Sequence, residues 1–291
     1  MKTQITKFIG GMFVAALTLP NLVQAQPSAH YAPGTEGIKA ATLPPPGIYL
    51  RDYNSFYYAD QFNDSQGNKV ASPKVFVYAN VPRVIWITDA KLLGGNLGVD
   101  ALLPLKYTYL KGMDQTFGIG DAFFEGTWSS HLTQWDFSLG AGVWAPTGDF
   151  SMTNPTRAGN GYWTEMLTAG ATWYADKDKK WALSVLNRYE FNQEQQDTDI
   201  TPGQAYTVEG GLSYGISKTV DVGAIGYYQQ QVTANSNASD ASRNRVAGIG
   251  PEGSVFFPDI MLGVSLRYAY EFLAENRLQG HTITLTVTKK F

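Results

Sequence analysis

Apolar and polar residues alternate along most of the chain with the two-residue period of an extended strand. The alternation is clear near the carboxyl end, where Ile283, Leu285 and Val287 are interleaved with threonines and Phe291 follows. The last strand of an outer-membrane barrel places apolar residues against lipid and polar residues in the lumen. The pattern therefore predicts that this strand, with Phe291 at its end, forms the seam of a closed barrel.

About twelve such segments lie between residues 47 and 291, and longer polar connections alternate with short ones. An even strand number brings both ends of a barrel to one side, with short turns periplasmic and long loops extracellular. After residue 25 no apolar run reaches the roughly 18 residues of a membrane helix, so a helical membrane protein is excluded. We therefore expect an all-β fold, a transmembrane antiparallel up-and-down β-barrel of about 12 strands. A periplasmic sandwich with one solvated face is the soluble alternative.

Individual strands are predicted with unequal clarity. The register of the first two, near 47–62 and 74–90, is ambiguous. One continuous strand is expected over 97–109 because its alternation is clean. A loop is expected over 111–116, before the next strand.

Residues 1–25 have the pattern of a secretory signal peptide, with Lys2 and Lys7 before an apolar run and a small-residue cleavage site ending at Ala25. Residues 26–46 are rich in Pro and Gly and end in Leu43, Pro44, Pro45 and Pro46. Consecutive prolines cannot donate to a sheet ladder, so this segment is expected to be irregular. Two interpretations stay open, a flexible periplasmic leader or a plug folded into the lumen. The barrel is expected to span residues 47–291.

Composition limits the kinds of partner and of reactive or metal site that the protein can have. The chain has 25 acidic and 22 basic residues, and this net negative charge argues against a nucleic-acid partner. It contains no cysteine, which excludes disulfides, thiol chemistry and thiolate metal sites. No histidine cluster has the spacing of metal ligands. We predict no metal, no cofactor and no catalytic residue.

The alternation assigns a set of charged side chains to the lumen. A charge facing lipid at mid-depth would cost about 2 to 4 kcal/mol for Arg or Lys, so an inward position is favoured. The set could be a salt-bridge lattice that fills the barrel, or it could polarise or gate a pathway. Its members are Asp121, Glu125, Arg188, Glu190, Glu209, Arg267 and Glu271. Arg188, Glu190, Glu209 and Arg267 are expected to form the mid-lumen group.

Aromatic and amide residues on the same predicted face are candidates for stacking on a flat organic molecule. They are Phe123, Trp144, Tyr227 and Gln229. The alternative is that they pack against a plug.

Three short motifs make the sequence similar to a known family. They are Leu43-Pro44-Pro45-Pro46-Gly47, Phe117-Gly118-Ile119-Gly120-Asp121 and Pro146-Thr147-Gly148-Asp149-Phe150. Together they resemble the phenol-degradation meta-pathway family of outer-membrane proteins, including its SphA-like members, and more distantly FadL-type channels. The resemblance implies a monomeric barrel that carries apolar or aromatic molecules across the outer membrane. Lys289 departs from the usual apolar residue of a terminal strand, but its side chain can snorkel to the interface.

The first functional hypothesis is a passive outer-membrane channel for hydrophobic or aromatic small molecules. The second is a structural or surface-interaction barrel with a blocked lumen, and the third is an outer-membrane hydrolase. For the third, His131 lies beside Ser129 and Ser130, but no orienting acid is expected in register. Expected partners are outer-membrane lipid, the barrel-assembly machinery through the C-terminal strand, and the small-molecule cargo.

Overall fold

A computed structural model describes residues 29–238 and 243–291 of the chain. The predicted signal peptide and residues 26–28 lie outside these ranges. Among the described residues, no helix combines the length and apolar character needed to cross a bilayer.

Most of the described residues from Gly47 onward lie in β-strands, and the helical structure in the described ranges is a 3-10 turn at Pro258–Ile260. The strands are β1 (Gly47–Asn63), β2 (Lys69–Ala71), β3 (Val75–Leu92), β4 (Gly95–Leu102), β5 (Leu105–Leu110), β6 (Asp114–Ile119), β7 (Ala122–His131), β8 (Trp135–Ala145), β9 (Thr164–Tyr174), β10 (Trp181–Asn192), β11 (Ala205–Gly215), β12 (Val220–Gln231), β13 (Arg245–Phe257), β14 (Leu262–Glu275) and β15 (Arg277–Lys290).

The sheet closes on itself because β1 is paired along both edges. On one side it pairs with β15, from Tyr49 opposite Lys290 to Asn63 opposite Arg277. On the other side it pairs with β3. β4 and β5 lie end to end and both pair with β3, so together they fill one strand position. β6 and β7 also lie end to end and fill the following position, where β6 pairs with β5 and β7 pairs with β4. β2 is a short strand that pairs with the end of β1. The described strands therefore form a closed antiparallel wall of twelve, as predicted, with β15 at the seam.

At two of the twelve strand positions of the barrel wall, the structure has two short strands in line where a single strand was expected. Pro104 has no N–H to continue the ladder, so the strand expected over 97–109 is divided into β4 and β5. In the neighbouring position Gly120 leaves the ladder and donates its N–H to the Pro104 carbonyl at 2.7 Å. The loop predicted over 111–116 is also wrong, because β6 already begins at Asp114 and leaves a tight turn before it.

The predicted alternation of faces is confirmed along the wall. In β14, Leu266 is 56% exposed on the outward face, whereas its neighbour Arg267 is 5% exposed and points into the barrel. The structure also settles the register of the first two strands. Tyr53 of β1 and Arg83 of β3 are buried on the inner face, and Asp52 lies on the outer one.

Candidate functional site

Residues 29–46, which we call the N-terminal segment, run along the inner face of the wall. Near its start, His30 Nε2 lies 3.0 Å from Asp121 Oδ2, beside the extracellular end of β7, and the imidazole stacks on Trp144. Near its end, the Thr42 hydroxyl donates to Asp136 Oδ2 at 3.0 Å, beside the periplasmic turn after β7. Burial lowers the pKa of His30, although Asp121 acts in the opposite direction, so the ring is neutral at pH 7.

Glu36 of the N-terminal segment lies in a cluster of wall side chains from β1 and β3. Its carboxylate accepts hydrogen bonds from Tyr53 Oη at 2.7 Å, Arg83 Nη1 at 3.3 Å and Arg51 Nη1 at 3.4 Å. Arg83 also donates to both oxygens of Asp100, each at 2.8 Å. Burial alone would raise the pKa of Glu36, but the arginines lower it to about 2. Glu36 is therefore ionised at pH 7 and pairs with the wall.

Glu209 holds the middle of the N-terminal segment. It accepts hydrogen bonds from the Tyr31 hydroxyl, from Gly34 N at 3.0 Å and from Arg188 Nη1 at 2.5 Å. The Arg188 guanidinium lies 4.0 Å from the Tyr31 ring centroid, a cation–π contact. Gly34 has a φ of 80°, and a Cβ there would meet the Tyr227 ring at 2.7 Å, so only glycine fits.

Asp121 joins the N-terminal segment to the long loop between β8 and β9. Its Oδ1 accepts from Gly148 N at 2.9 Å and its Oδ2 from Asn160 N at 2.7 Å, in addition to the contact with His30. One carboxylate thus fixes both ends of that loop and the start of the segment.

Glu190 and Glu125 serve different partners. Glu190 Oε1 accepts from the backbone N–H groups of His30, at 2.8 Å, and Tyr31, at 3.1 Å. Glu125 accepts from Thr168 Oγ1 at 2.8 Å and lies 3.2 Å from Arg83 Nη2. Glu190 therefore binds the segment, and Glu125 belongs to the wall network.

Arg267 and Glu271 are neighbours along β14 but do not contact each other. Arg267 donates to the Thr35 carbonyl and to Thr286 Oγ1, the latter at 3.0 Å, and lies 3.6 Å from Glu252 Oε1. Glu271 accepts from the Tyr57 hydroxyl at 2.9 Å. Of the predicted mid-lumen group, only Arg188 and Glu209 form a direct pair, while Glu190 and Arg267 are linked to them through the N-terminal segment.

The predicted stacking residues fall into two clusters. Phe123 and Trp144 pack with ring centroids 4.6 Å apart, together with Tyr31 of the segment. Tyr227 belongs to a second cluster, against which Ile38 packs. Gln229 Nε2 donates to the Tyr31 carbonyl at 2.8 Å.

The triproline stretch and the C-terminal residue meet at the periplasmic end. The Pro45 carbonyl accepts from the Tyr49 hydroxyl at 2.7 Å, and the Pro46 carbonyl accepts from Lys290 Nζ at 3.1 Å. Phe291 N donates to the Ile48 carbonyl at 3.0 Å, which extends the seam by one bond. Leu43 and Pro44 precede these contacts, and the hydrogen bonds deeper in the barrel come from residues 30–42.

Sequence reasoning missed several residues that bind the segment. Glu36 lies in a stretch without periodicity, and Arg51 and Arg83 lie in the two strands whose register was ambiguous. Glu252 accepts from Ile38 N at 2.7 Å. A charged residue inside an otherwise apolar strand, such as Arg83, was the one available sign of such a contact. It indicates a lumen-facing residue only when the inner face of that strand is already known.

His131 has an acid partner, contrary to expectation. Its Nδ1 lies 3.1 Å from Asp136 Oδ1 because the turn after β7 brings these residues opposite each other. The same carboxylate accepts from the Tyr174 hydroxyl at 2.6 Å. Ser129 Oγ is buried without a hydrogen-bond partner, so it does not form a nucleophile–base pair with His131. Within the described ranges no group of three or more His, Cys, Asp or Glu could hold a metal ion.

A cavity of about 300 Å³ lies between the N-terminal segment and the wall. Its lining runs from residues 36–43 of the segment across the inner faces of the wall strands, and it reaches the periplasmic turn at Lys218. The charged wall residues around it are Arg51, Arg83, Glu125, Arg188, Asp221, Glu252 and Arg267.

Comparisons with known proteins agree with this architecture. The sequence matches the family described as "Putative MetA-pathway of phenol degradation" over residues 59–287. No curated protein matches it. An outer-membrane channel from Pseudomonas putida F1 has a TM-score of 0.79 at 15% identity, covering 90% of this chain and 100% of that one. The beta domain of the Bordetella autotransporter Brka has a TM-score of 0.51 at 13% identity, covering 84% and 99%. The chain has the fold of an outer-membrane β-barrel and belongs to the Putative MetA-pathway of phenol degradation family.

Proposed function

We propose that the protein is a passive outer-membrane channel for hydrophobic or aromatic small molecules. The observation that carries this proposal is the cavity beside the N-terminal segment, because it makes the lumen more than a packed core. The family description, which names phenol degradation, favours an aromatic cargo.

In this proposal the N-terminal segment is a plug that regulates the width of the pathway. It is held by hydrogen bonds and ion pairs, such as those of Glu36 and Glu209, and by apolar contacts of Tyr31 and Ile38 with two clusters on the wall. Each hydrogen bond to a charged group contributes about 1.5 to 3 kcal/mol, but none of these bonds belongs to the strand ladder that closes the barrel. The segment can therefore leave the wall without unfolding the barrel.

Residues 1–25 direct export, the barrel-assembly machinery recognises the strand that ends at Phe291, and the barrel acts as a monomer in contact with outer-membrane lipid.

A blocked structural barrel is the second candidate. It is favoured by the number of wall strands that the segment reaches, since β10, β11 and β13 all supply carboxylates to it. If these contacts never break, the lumen carries nothing.

Planar-bilayer conductance separates the two candidates. We expect deletion of residues 26–46 from the mature protein to raise single-channel conductance several-fold. A disulfide between the segment and the wall should keep the conductance low. Ala41 N donates to Ser184 Oγ at 3.0 Å, so an oxidised Ala41→Cys/Ser184→Cys pair should hold the segment against the wall until reductant is added. Asp178→Asn, in an exposed periplasmic turn, is the control, and it should change neither the single-channel conductance nor its response to reductant.

Uptake by cells completes the test. Cells lacking the protein should accumulate phenol more slowly, and the full chain should restore the rate. Silent bilayers with both the full and the deleted chain, together with normal phenol uptake in cells lacking the protein, would rule out the channel.

A further inference from the structure

Two cationic side chains lie at the extracellular entrance of the lumen. Lys106 of β5 is on the inward face, opposite Ala79 of β3 and Gly118 of β6. Arg157 belongs to the loop between β8 and β9. Within the described part of the chain, neither side chain forms a hydrogen bond or an ion pair. The entrance therefore holds two positive charges that no carboxylate binds.

The loop between β8 and β9 brings Arg157 close to Lys106. A Cβ added at Gly118 would lie 2.9 Å from Ala158 Cβ, so the loop rests on β6 directly beside Lys106. Of the charged groups around Lys106, Arg157 acts on it most strongly. Two like charges at short separation repel each other, and an anion between them would replace this repulsion by attraction.

The carboxylates in the same region are occupied by other groups. Asp121 accepts from two backbone N–H groups of the loop and lies 3.0 Å from His30 Nε2. Asp149 Oδ2 accepts from Ile119 N at 2.7 Å. Neither carboxylate lies within ion-pair distance of the two cations. The anion that they lack would have to come from solution.

A ligand from solution can reach both cations. Lys106 and Arg157 are half-buried. Guanidinium nitrogens that lack a partner and are sealed from solvent occur at Arg188, Arg267 and Arg277, and the nitrogens of Lys106 and Arg157 are not sealed in this way. The two entrance cations are therefore available to an incoming group, unlike the arginines deeper in the barrel.

An aromatic surface adjoins the two cations. The Arg157 guanidinium lies 5.2 Å from the centroid of the Phe150 ring. That ring is held against Gly161, where an added Cβ would meet it at 2.5 Å. A solute that carries both an anionic group and a ring would contact the cations and Phe150 together.

We propose that Lys106 and Arg157 form a binding site for a small organic anion, whose carboxylate or phosphate oxygens lie between the two cations. Lysine and arginine both donate charge-assisted hydrogen bonds to such oxygens. The role of the site rests on the proposed channel function and deepens it, because the entrance would concentrate anionic solutes before they reach the N-terminal segment.

Titration calorimetry on the purified full chain in detergent tests the selection for charge. The probes are sodium benzoate and inorganic phosphate, and benzyl alcohol is the neutral analogue of benzoate. We expect saturable benzoate binding, displacement of benzoate by phosphate, and affinity for benzyl alcohol lower by about tenfold. The tighter of the two anions identifies the source of the oxygens, a carboxylic acid or a phosphate. Equal affinity for benzoate and benzyl alcohol, or no saturable signal from either anion, would overturn the proposal.

Substitutions test the position of the site. Lys106→Gln and Arg157→Gln each remove one charge and keep a polar side chain, and each should weaken anion binding about tenfold. Lys111→Gln is the matched control, because it changes the net charge equally in the exposed turn after β5. Arg157 lies in a loop, so its variant still tests the site if Lys106→Gln fails to fold, which heat-modifiable gel migration reports. An equal loss in Lys111→Gln, or unchanged binding in Arg157→Gln, would contradict the assignment.

The binding and conductance results fail independently. Absent anion binding, with conductance that still responds to deletion of residues 26–46, overturns this inference and leaves the channel. Anion binding that requires both cations, in a protein that stays silent in bilayers and is dispensable for phenol uptake, overturns the channel and leaves the site.

Discussion

Asp52 is a single residue that departs from the rule governing its neighbours, because its carboxylate lies on the outward face of β1. Leu50 and Phe56 on the same face are exposed apolar residues, as expected of a wall in contact with lipid. Asp52 accepts hydrogen bonds from Asn54 Nδ2 and Asn80 Nδ2, both at 2.8 Å. These amides partly replace water around a group that the hydrocarbon cannot solvate.

At the scale of this residue we predict that Asp52→Asn stabilises the barrel. The amide keeps a hydrogen-bonding side chain in place and removes the cost of a charge in the lipid-facing band, so the free energy of unfolding should rise by about 1 kcal/mol. Urea unfolding in lipid vesicles measures the change. Asp60→Asn, near the extracellular end of the same strand, should have an effect below about 0.5 kcal/mol. A lower free energy of unfolding for Asp52→Asn would show that the charge itself is needed.

At the scale of elements, the seam between β1 and β15 decides whether the sheet is a barrel. Ser55 is opposite Thr284, and their hydroxyl oxygens are 3.2 Å apart on the inner face. Side chains of directly opposed residues in an antiparallel pair lie at distances that a disulfide can bridge.

We predict that Ser55→Cys/Thr284→Cys forms a disulfide on oxidation, detected as a reductant-sensitive shift in gel migration. The chain contains no other cysteine that could compete. Ser55→Cys/Ile283→Cys is the control, because Ile283 faces outward and its thiol would lie on the other side of the wall. Equal cross-linking of the two pairs, or none in the first, would contradict the register of the seam.

The elements also show where pattern alone fails. The alternation of apolar residues continues from β4 into β5, so hydropathy gives no sign of the interruption. Pro104 is the local cause, and the interruption of the neighbouring position at Gly120 follows because its N–H bonds to the Pro104 carbonyl. The break between β4 and β5 could thus be predicted from the proline alone. The break at Gly120 could be recognised only after the pairing of the two neighbouring strands was known.

At the scale of the whole molecule, Arg267 connects the wall to the N-terminal segment. We predict that Arg267→Ala lowers the free energy of unfolding by about 3 kcal/mol, because Glu252 and the Thr35 carbonyl lose a buried partner. The segment should bind less tightly, so bilayer conductance should rise. Insertion into the membrane should be unchanged, because the side chain does not contact lipid.

Nitroxide labels check the orientation on which this prediction rests. A label on Arg267→Cys should report the polar interior, and one on Leu266→Cys should report hydrocarbon. A hydrocarbon signal from position 267 would contradict the orientation and the predicted effect.

The sequence by itself determined an all-β barrel of about twelve strands, its closure at β15 and, outside β1 and β3, the inward and outward faces of the strands. It could do so because apolar residues that face lipid alternate with polar residues that face the lumen. It also placed Arg188, Glu209 and Arg267 on the inner face. Only the tertiary structure decided which charges pair, because partners such as Glu36 and Arg83 come from segments far apart in the chain. The register of β1, the outward position of Asp52 and the path of the N-terminal segment were likewise fixed by neighbouring strands, since local pattern does not encode contacts across a lumen.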